Sequence, residues 1–307
     1  MAAERKKIKL SRAAGNKRRS GTPGFRKALR LADSVARSRM LANRPADRRR
    51  FKFVQAAIAG DYHESAGSGV ILRMFRWALG IALLPFCALT SLTFFDQFSE
   101  VARDRGFWTD SSFWYFATGV LLMAGWFASG LLWNSFLYLY VLGHELTHIL
   151  FIWLCRGKVE DWGADSSGGF VTTDKNNILI ALAPYFVPLW AVVILIGFSV
   201  TGMFVPLVPA AMKTFYGLLG FFWAFHLIWT LWMIPRDQPD LRENGTFLSL
   251  NIIFLANLGI VIALTIAASP TMTLADFSRD WWNHASSLAE SSADFLGRLD
   301  WQSALQR

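Results

Sequence analysis

The chain has 307 residues, 53% of them hydrophobic, with 26 Phe and 14 Trp. These apolar residues come in long blocks rather than in the periodic stripes of a soluble core, which excludes an ordinary soluble domain and argues for a membrane class. The net charge of +9 is uneven: residues 1–52 hold 18 Lys and Arg against Glu4, Asp33 and Asp47, so this segment is +15 and the remainder −6.

Residues 1–68 read as a basic arm and linker, with a short amphipathic helix predicted around Phe25–Arg37. A basic arm beside a membrane span marks the cytoplasmic side and is drawn to anionic lipid headgroups. It has almost no aromatics to stack on bases, so nucleic acid is not an expected partner. No apolar core interrupts the first 50 residues, so a retained arm is expected rather than a cleaved secretory signal.

The first span is predicted from Val70 to Phe95, with Arg73 and Arg76 at its entry, followed by a polar loop, Asp96–Ser112. The apolar run Phe113–Cys155 is too long for one crossing, since about 20 residues span the hydrocarbon core. Splitting it near Trp133–Asn134 gives a second span, Phe113–Leu132, and a third, Asn134–Cys155. The polar segment Arg156–Asn177 is rich in glycine and contains Phe170-Val171-Thr172-Thr173, the signature of a β-hairpin. A fourth span, Ile178–Val200, should be kinked by Pro184 and Pro188. Phe215–Ile234 and Phe247–Ala268 are the fifth and sixth, separated by a polar segment at 235–246. The tail from Ser269 is amphipathic, suited either to the membrane interface or to a solvated helix. The fold class is thus an all-α polytopic membrane protein of about six transmembrane helices with one small hairpin. Its parts are the arm (1–68), a six-span domain (69–268) and the tail (269–307). A bacterial inner membrane with the N-terminus in the cytoplasm is the expected location. Cys87 and Cys155 lie in or beside apolar blocks and give neither a disulfide framework nor a Cys-based metal site.

The third span contains Gly143-His144-Glu145-Leu146-Thr147-His148, an H-E-x-x-H pattern. Residues four apart share a helix face, so His144 and His148 can point at one metal ion. Glu145 can then reach a metal-bound water as general base, and zinc brings the pKa of such a water to about 7. Ionisable residues inside an apolar span cost about 2.5–3.5 kcal/mol each on insertion scales, which a bound metal would offset. A catalytic zinc keeps three protein ligands and one open position. His63 and His284 lie in polar termini; Asp237 and Asp240, before the sixth span, lie on the same side as the hairpin and are the candidates for the third ligand. His226, inside the fifth span, is open to three roles: a partner of a ligand, an alternative ligand, or a histidine hydrogen-bonded between helices. Asn176 and Asn177 are candidates to hold extended substrate backbone, or to cap a helix.

These residues resemble the site-2 protease group of membrane zinc metalloproteases. In that family an HExxH in a transmembrane helix is joined by an Asp at the start of a later helix, and a Gly-rich hairpin follows the HExxH helix. The matching residues are His144, Glu145 and His148, then Gly168-Gly169-Phe170-Val171, then Asp240 with Gly245, over about residues 134–268. The family's Asn-Pro-x-x-Asp-Gly form is replaced by Asp237-Gln238-Pro239-Asp240-Leu241, and one additional span separates the hairpin from the Asp segment. The resemblance implies zinc as cofactor, His144, His148 and Asp240 as ligands with Asp237 as the alternative, and Gly168–Val171 as a substrate-positioning strand. It implies hydrolysis of peptide bonds in a membrane protein or peptide substrate. The rival class is a transporter or ion and proton relay using the same buried His and Glu residues. A di-iron oxygenase would need more histidines than the five present. With the arm inside and six spans, the hairpin and Asp240 fall on the outer side.

Overall fold

A computed structural model describes residues 66–166, 168–236, 238–269 and 271–298. The basic arm, its helix around Phe25–Arg37 and Asp237 lie outside the described residues. The described chain is mostly helical. Helix α1 (Ala66–Arg103) carries the first apolar block and continues two turns past Phe95. Asp104 accepts from the Gly106 N–H at 2.8 Å and starts the short α2 (Arg105–Thr109); Asp110 accepts from Ser112 N–H at 2.9 Å and starts α3 (Ser111–Ser129). Such side-chain acceptors satisfy N–H groups that the first helical turn leaves open. Gly130 (φ 68°) and Leu132 (φ 52°) turn the chain into α4 (Trp133–Leu154), so the long apolar run divides where its length requires.

The hairpin is formed by β1 (Val159–Asp165) and β2 (Gly168–Thr173), antiparallel, with Trp162 opposite Val171 and Gly163 opposite Phe170. The fourth block is broken rather than merely kinked. Helix α5 (Ile178–Leu182) passes into a 3-10 turn (Ala183–Tyr185), and α6 (Leu189–Phe204) leaves at 80° to it. Pro184 and Pro188 lack the N–H groups that continuing one helix through the break requires. The remaining elements are α7 (Pro209–Met233), α8 (Pro239–Glu243), α9 (Thr246–Ala268) and α10 (Leu274–Arg298).

Among the described residues α1 (from Gly69), α4, α7 and α9 are long and apolar enough to cross a membrane, and the bent pair α5–α6 makes a fifth if it counts as one span. The expected second span is helical, as α3, but does not join that set. Ser, Thr, Gly, Tyr and Trp dilute its apolar residues.

Two parallel helix pairs build the domain. In the first, α3 lies along α7: Phe116 meets Trp223 at 5.7 Å and Phe127 meets Trp229 at 5.3 Å. Glycine permits this approach. A Cβ on Gly119 would strike the Gly217 carbonyl, and one on Gly220 would strike the Phe116 carbonyl. Small residues at such crossings let helix backbones touch in the absence of a hydrophobic driving force between helices. In the second pair, α1 lies along α9: Trp77 stacks on Phe247 at 4.9 Å near their N-terminal ends, and Phe94 and Val101 share a core with Ile262 and Met272 farther along. The tail helix α10 lies across the last turns of α1. Its Phe277 enters the same core, its Trp281 donates to Thr90 Oγ1 at 3.1 Å, and His284 stands 3.3 Å from Asp96. The tail is therefore docked on the helical domain, not a free solvated helix.

Candidate metal centre

Helix α4 places His144 and His148 one turn apart, their ring centroids 4.9 Å from each other. Helix α8 brings Asp240 to them. Pro239 opens α8 with its φ already helical, and Leu241, 3% exposed, anchors the short helix in a core with Leu182, Tyr185 and Ile253. The Asp240 Oδ2 then lies 3.6 Å from Nε2 of His144 and 3.6 Å from Nε2 of His148. One ligand atom from each of the three residues falls within 4.8 Å of the others; this is the one such His/Cys/Asp/Glu group among the described residues. Of the two candidate acids, Asp240 is brought to the histidines, while Asp237 lies outside the described residues.

The donor set fits zinc. Ligand atoms about 2.0–2.2 Å from a tetrahedral ion stand about 3.3–3.6 Å apart, and two imidazoles with one carboxylate leave a fourth position open. The side chains of both histidines are 12% exposed and that of Asp240 28%, so the cluster opens on the Asp240 side.

The surroundings orient each ligand. His148 Nδ1 lies 2.9 Å from the Ile180 carbonyl. A carbonyl only accepts, so Nδ1 carries the proton and Nε2 turns its lone pair to the cluster. The α5–α6 break makes this possible, because Ile180 comes from the short helix that precedes the turn. Tyr185, fully buried in that turn, donates from its hydroxyl to Asp240 Oδ2 at 3.1 Å and sets its ring edge-on to His144 at 5.1 Å. Asn257 of α9 donates to the Tyr185 carbonyl at 3.0 Å and fixes the turn. Burial pushes the Asp240 carboxyl up, but the two imidazoles facing it outweigh this and hold it well below the usual carboxylate range.

Glu145 is 6% exposed and faces the hairpin: a Cβ on Gly169 would fall on its carboxyl group. Of the other expected substrate residues, Gly168 and Phe170 are exposed on β2 and Val171 is half-buried. Asn177 accepts from the Ile180 N–H at 2.9 Å and so caps α5, and Asn176 donates to Glu243 at 3.4 Å. His226 is 8% exposed in α7, outside the three-residue group, and lines a small cavity together with His144 and Pro184. Sequence reasoning missed Ile180, Tyr185 and Asn257. Ala183-Pro184-Tyr185 beside a second proline was the available signal, since it forces a break that points backbone and side-chain groups inward.

No protein-family model, no curated protein and no solved structure matches the chain.

Proposed function

We propose that the protein is an intramembrane zinc metalloprotease of the site-2 protease type. The observation that carries this reading is the convergence of His144, His148 and Asp240 around one point, with Glu145 next in sequence and buried beside them. A zinc ion held there supplies Lewis acidity toward the scissile carbonyl and an acidified water. Glu145 takes a proton from the attacking water and passes it to the leaving amine, the two halves of general acid–base catalysis. His148, fixed by Ile180, and Asp240, fixed by Tyr185, hold the ligand geometry through this proton traffic.

A helical substrate hides its peptide bonds, so the cleaved segment must be extended. The hairpin lies against Glu145, and strand β2 offers main-chain groups to which an extended peptide can add. The setting is a bilayer. Ile71, Met74, Phe75 and Trp77 of α1, and Val193, Leu195 and Ile196 of α6, are exposed to a degree that a water-soluble surface of this extent rarely shows.

The two parallel pairs support one reading of the crossings. If α1 runs from one face to the other, α3 returns, and α7 returns in the same sense as α3; α9 then repeats α1. Between α3 and α7 the chain makes one net crossing, shared by α4 and the bent pair α5–α6. With α3 counted as a crossing, this reading has five, with α5–α6 or α4 turning back within the membrane, against about six expected from the sequence. Gly245 lies against Arg76, which puts the Asp240 loop on the face where α1 begins. On this reading the site opens on the face expected to be cytoplasmic, where six full crossings would put it on the outer side.

The test is cleavage of single-span membrane peptides in proteoliposomes. Wild-type protein should cut, a zinc chelator should stop the reaction and added zinc restore it, and Glu145→Gln should be inactive. Equal cleavage by Glu145→Gln would remove the protease reading.

A further inference from the structure

His148 has a protein partner for its second ring nitrogen, and His144 does not. The His144 Nδ1 is buried without a protein partner, and so is the Nε2 of His226. Both residues line one small cavity between α4, the Ala183–Tyr185 turn and α7, whose walls include Tyr140, Trp190 and Phe225. The cavity measures about 10 Å³, the least room that holds a single water molecule. A site with polar groups converging on it holds a water, whereas a purely apolar one stays dry.

The hydrogen-bonding capacities fit one arrangement. For Nε2 of His144 to face the metal with a lone pair, its Nδ1 must carry the proton and needs an acceptor. A neutral imidazole with its proton on Nδ1 leaves Nε2, the atom of His226 without a protein partner, free to accept. The His226 Nε2 is then a lone-pair acceptor. One water can accept from His144 Nδ1–H and donate to His226 Nε2.

We infer that His226 is a positioning residue for the metal centre, holding His144 through one buried water. The inference rests on the metal-site reading above and deepens it. The chain of bonds runs from His144 through the water to His226, both on the walls of the one cavity. A metal-ligating histidine nearly always gives its second N–H to such a partner, and loss of the partner costs about 10–100-fold in metal affinity.

The experiment compares wild type, His226→Phe and His226→Gln in zinc affinity, measured by chelator competition on purified full-length protein. Phe keeps a ring of similar volume but neither donates nor accepts; Gln offers an amide oxygen at a comparable reach. His226→Phe is expected to bind one zinc per chain about 10–100-fold more weakly, and His226→Gln to recover most of that loss. Unchanged affinity in His226→Phe, or equal losses in both variants, would overturn the inference. A second measurement needs no metal. Magic-angle-spinning NMR of metal-free protein with ¹⁵N-labelled histidine should show a water cross-peak to the His144 Nδ1–H that disappears in His226→Phe. Absence of that cross-peak in wild type overturns the water bridge. Its presence in a wild type that binds no zinc upholds the bridge and overturns the metal reading instead.

Discussion

Gly169 of the hairpin lies against Glu145 of α4 so closely that a Cβ on the glycine would occupy the space of the glutamate carboxyl. The strand and the base are thus set by one contact. Gly169→Ala must move either the hairpin or Glu145, and misplacement of a catalytic group by about 1 Å costs on the order of 100-fold in rate. Peptide cleavage is expected to fall by about that factor with zinc content unchanged. Gly197→Ala, where an added Cβ meets nothing within 4 Å, is the control and should cleave normally.

The bond from Tyr185 to Asp240 gives a second expectation. Tyr185→Phe keeps the buried ring against His144 and removes only the donor to Oδ2. Zinc affinity should fall by about 10–100-fold, because the carboxylate is free to rotate away from the histidines. Chelator competition measures the change, and affinity equal to wild type would mean that Asp240 is held by its short helix alone.

The expectations that came from the sequence divide by physical cause. His144, Glu145 and His148 were legible because a helix converts a spacing of four into one face, a purely local rule. The hairpin and a kink at Pro184 and Pro188 were legible for the same reason, since glycine and proline act on their own backbone, but the full break was not. The location of Asp240 beside the histidines followed from topology plus the family resemblance. Tyr185 and Ile180 were not legible, because their role depends on a turn meeting a helix more than 30 residues earlier in the chain. The docking of α10 was equally hidden: the amphipathic tail reads as suited to the interface or to solvent, and only the fold shows Trp281 donating its indole N–H to Thr90. The count of six spans assumed that each apolar block crosses fully, and a block bent by 80° need not.

The glycine contacts between α3 and α7 should be intolerant of side chains. Gly220→Val sets a branched side chain against the Phe116 backbone, where no rotamer change gives relief. Overpacking costs about 1–3 kcal/mol when side chains can adjust, and here the obstacle is main chain. The thermal midpoint in detergent should drop markedly in Gly220→Val and stay near wild type in Gly125→Ala, which has open space around it.

The five-crossing topology separates from a six-crossing one at the loop before α7. Single cysteines would be introduced at Thr109, Val205 and Asn244 after Cys87 and Cys155 are replaced. Thr109→Cys and Val205→Cys are expected to react with a membrane-impermeant thiol reagent from one face, and Asn244→Cys from the other. Labelling of Asn244→Cys together with Thr109→Cys, with Val205→Cys reacting from the opposite face, would mean that α4 and α5–α6 both cross.

The most direct test of the metal centre is elemental analysis of the purified protein alongside His144→Ala, His148→Ala and Asp240→Ala, each verified as folded by circular dichroism. About one zinc per wild-type chain, with strong loss in all three variants, is the expected result for a three-ligand site. A folded wild type without zinc or another transition metal, or an Asp240→Ala variant that keeps its zinc fully, would contradict the assignment of these residues as the ligands.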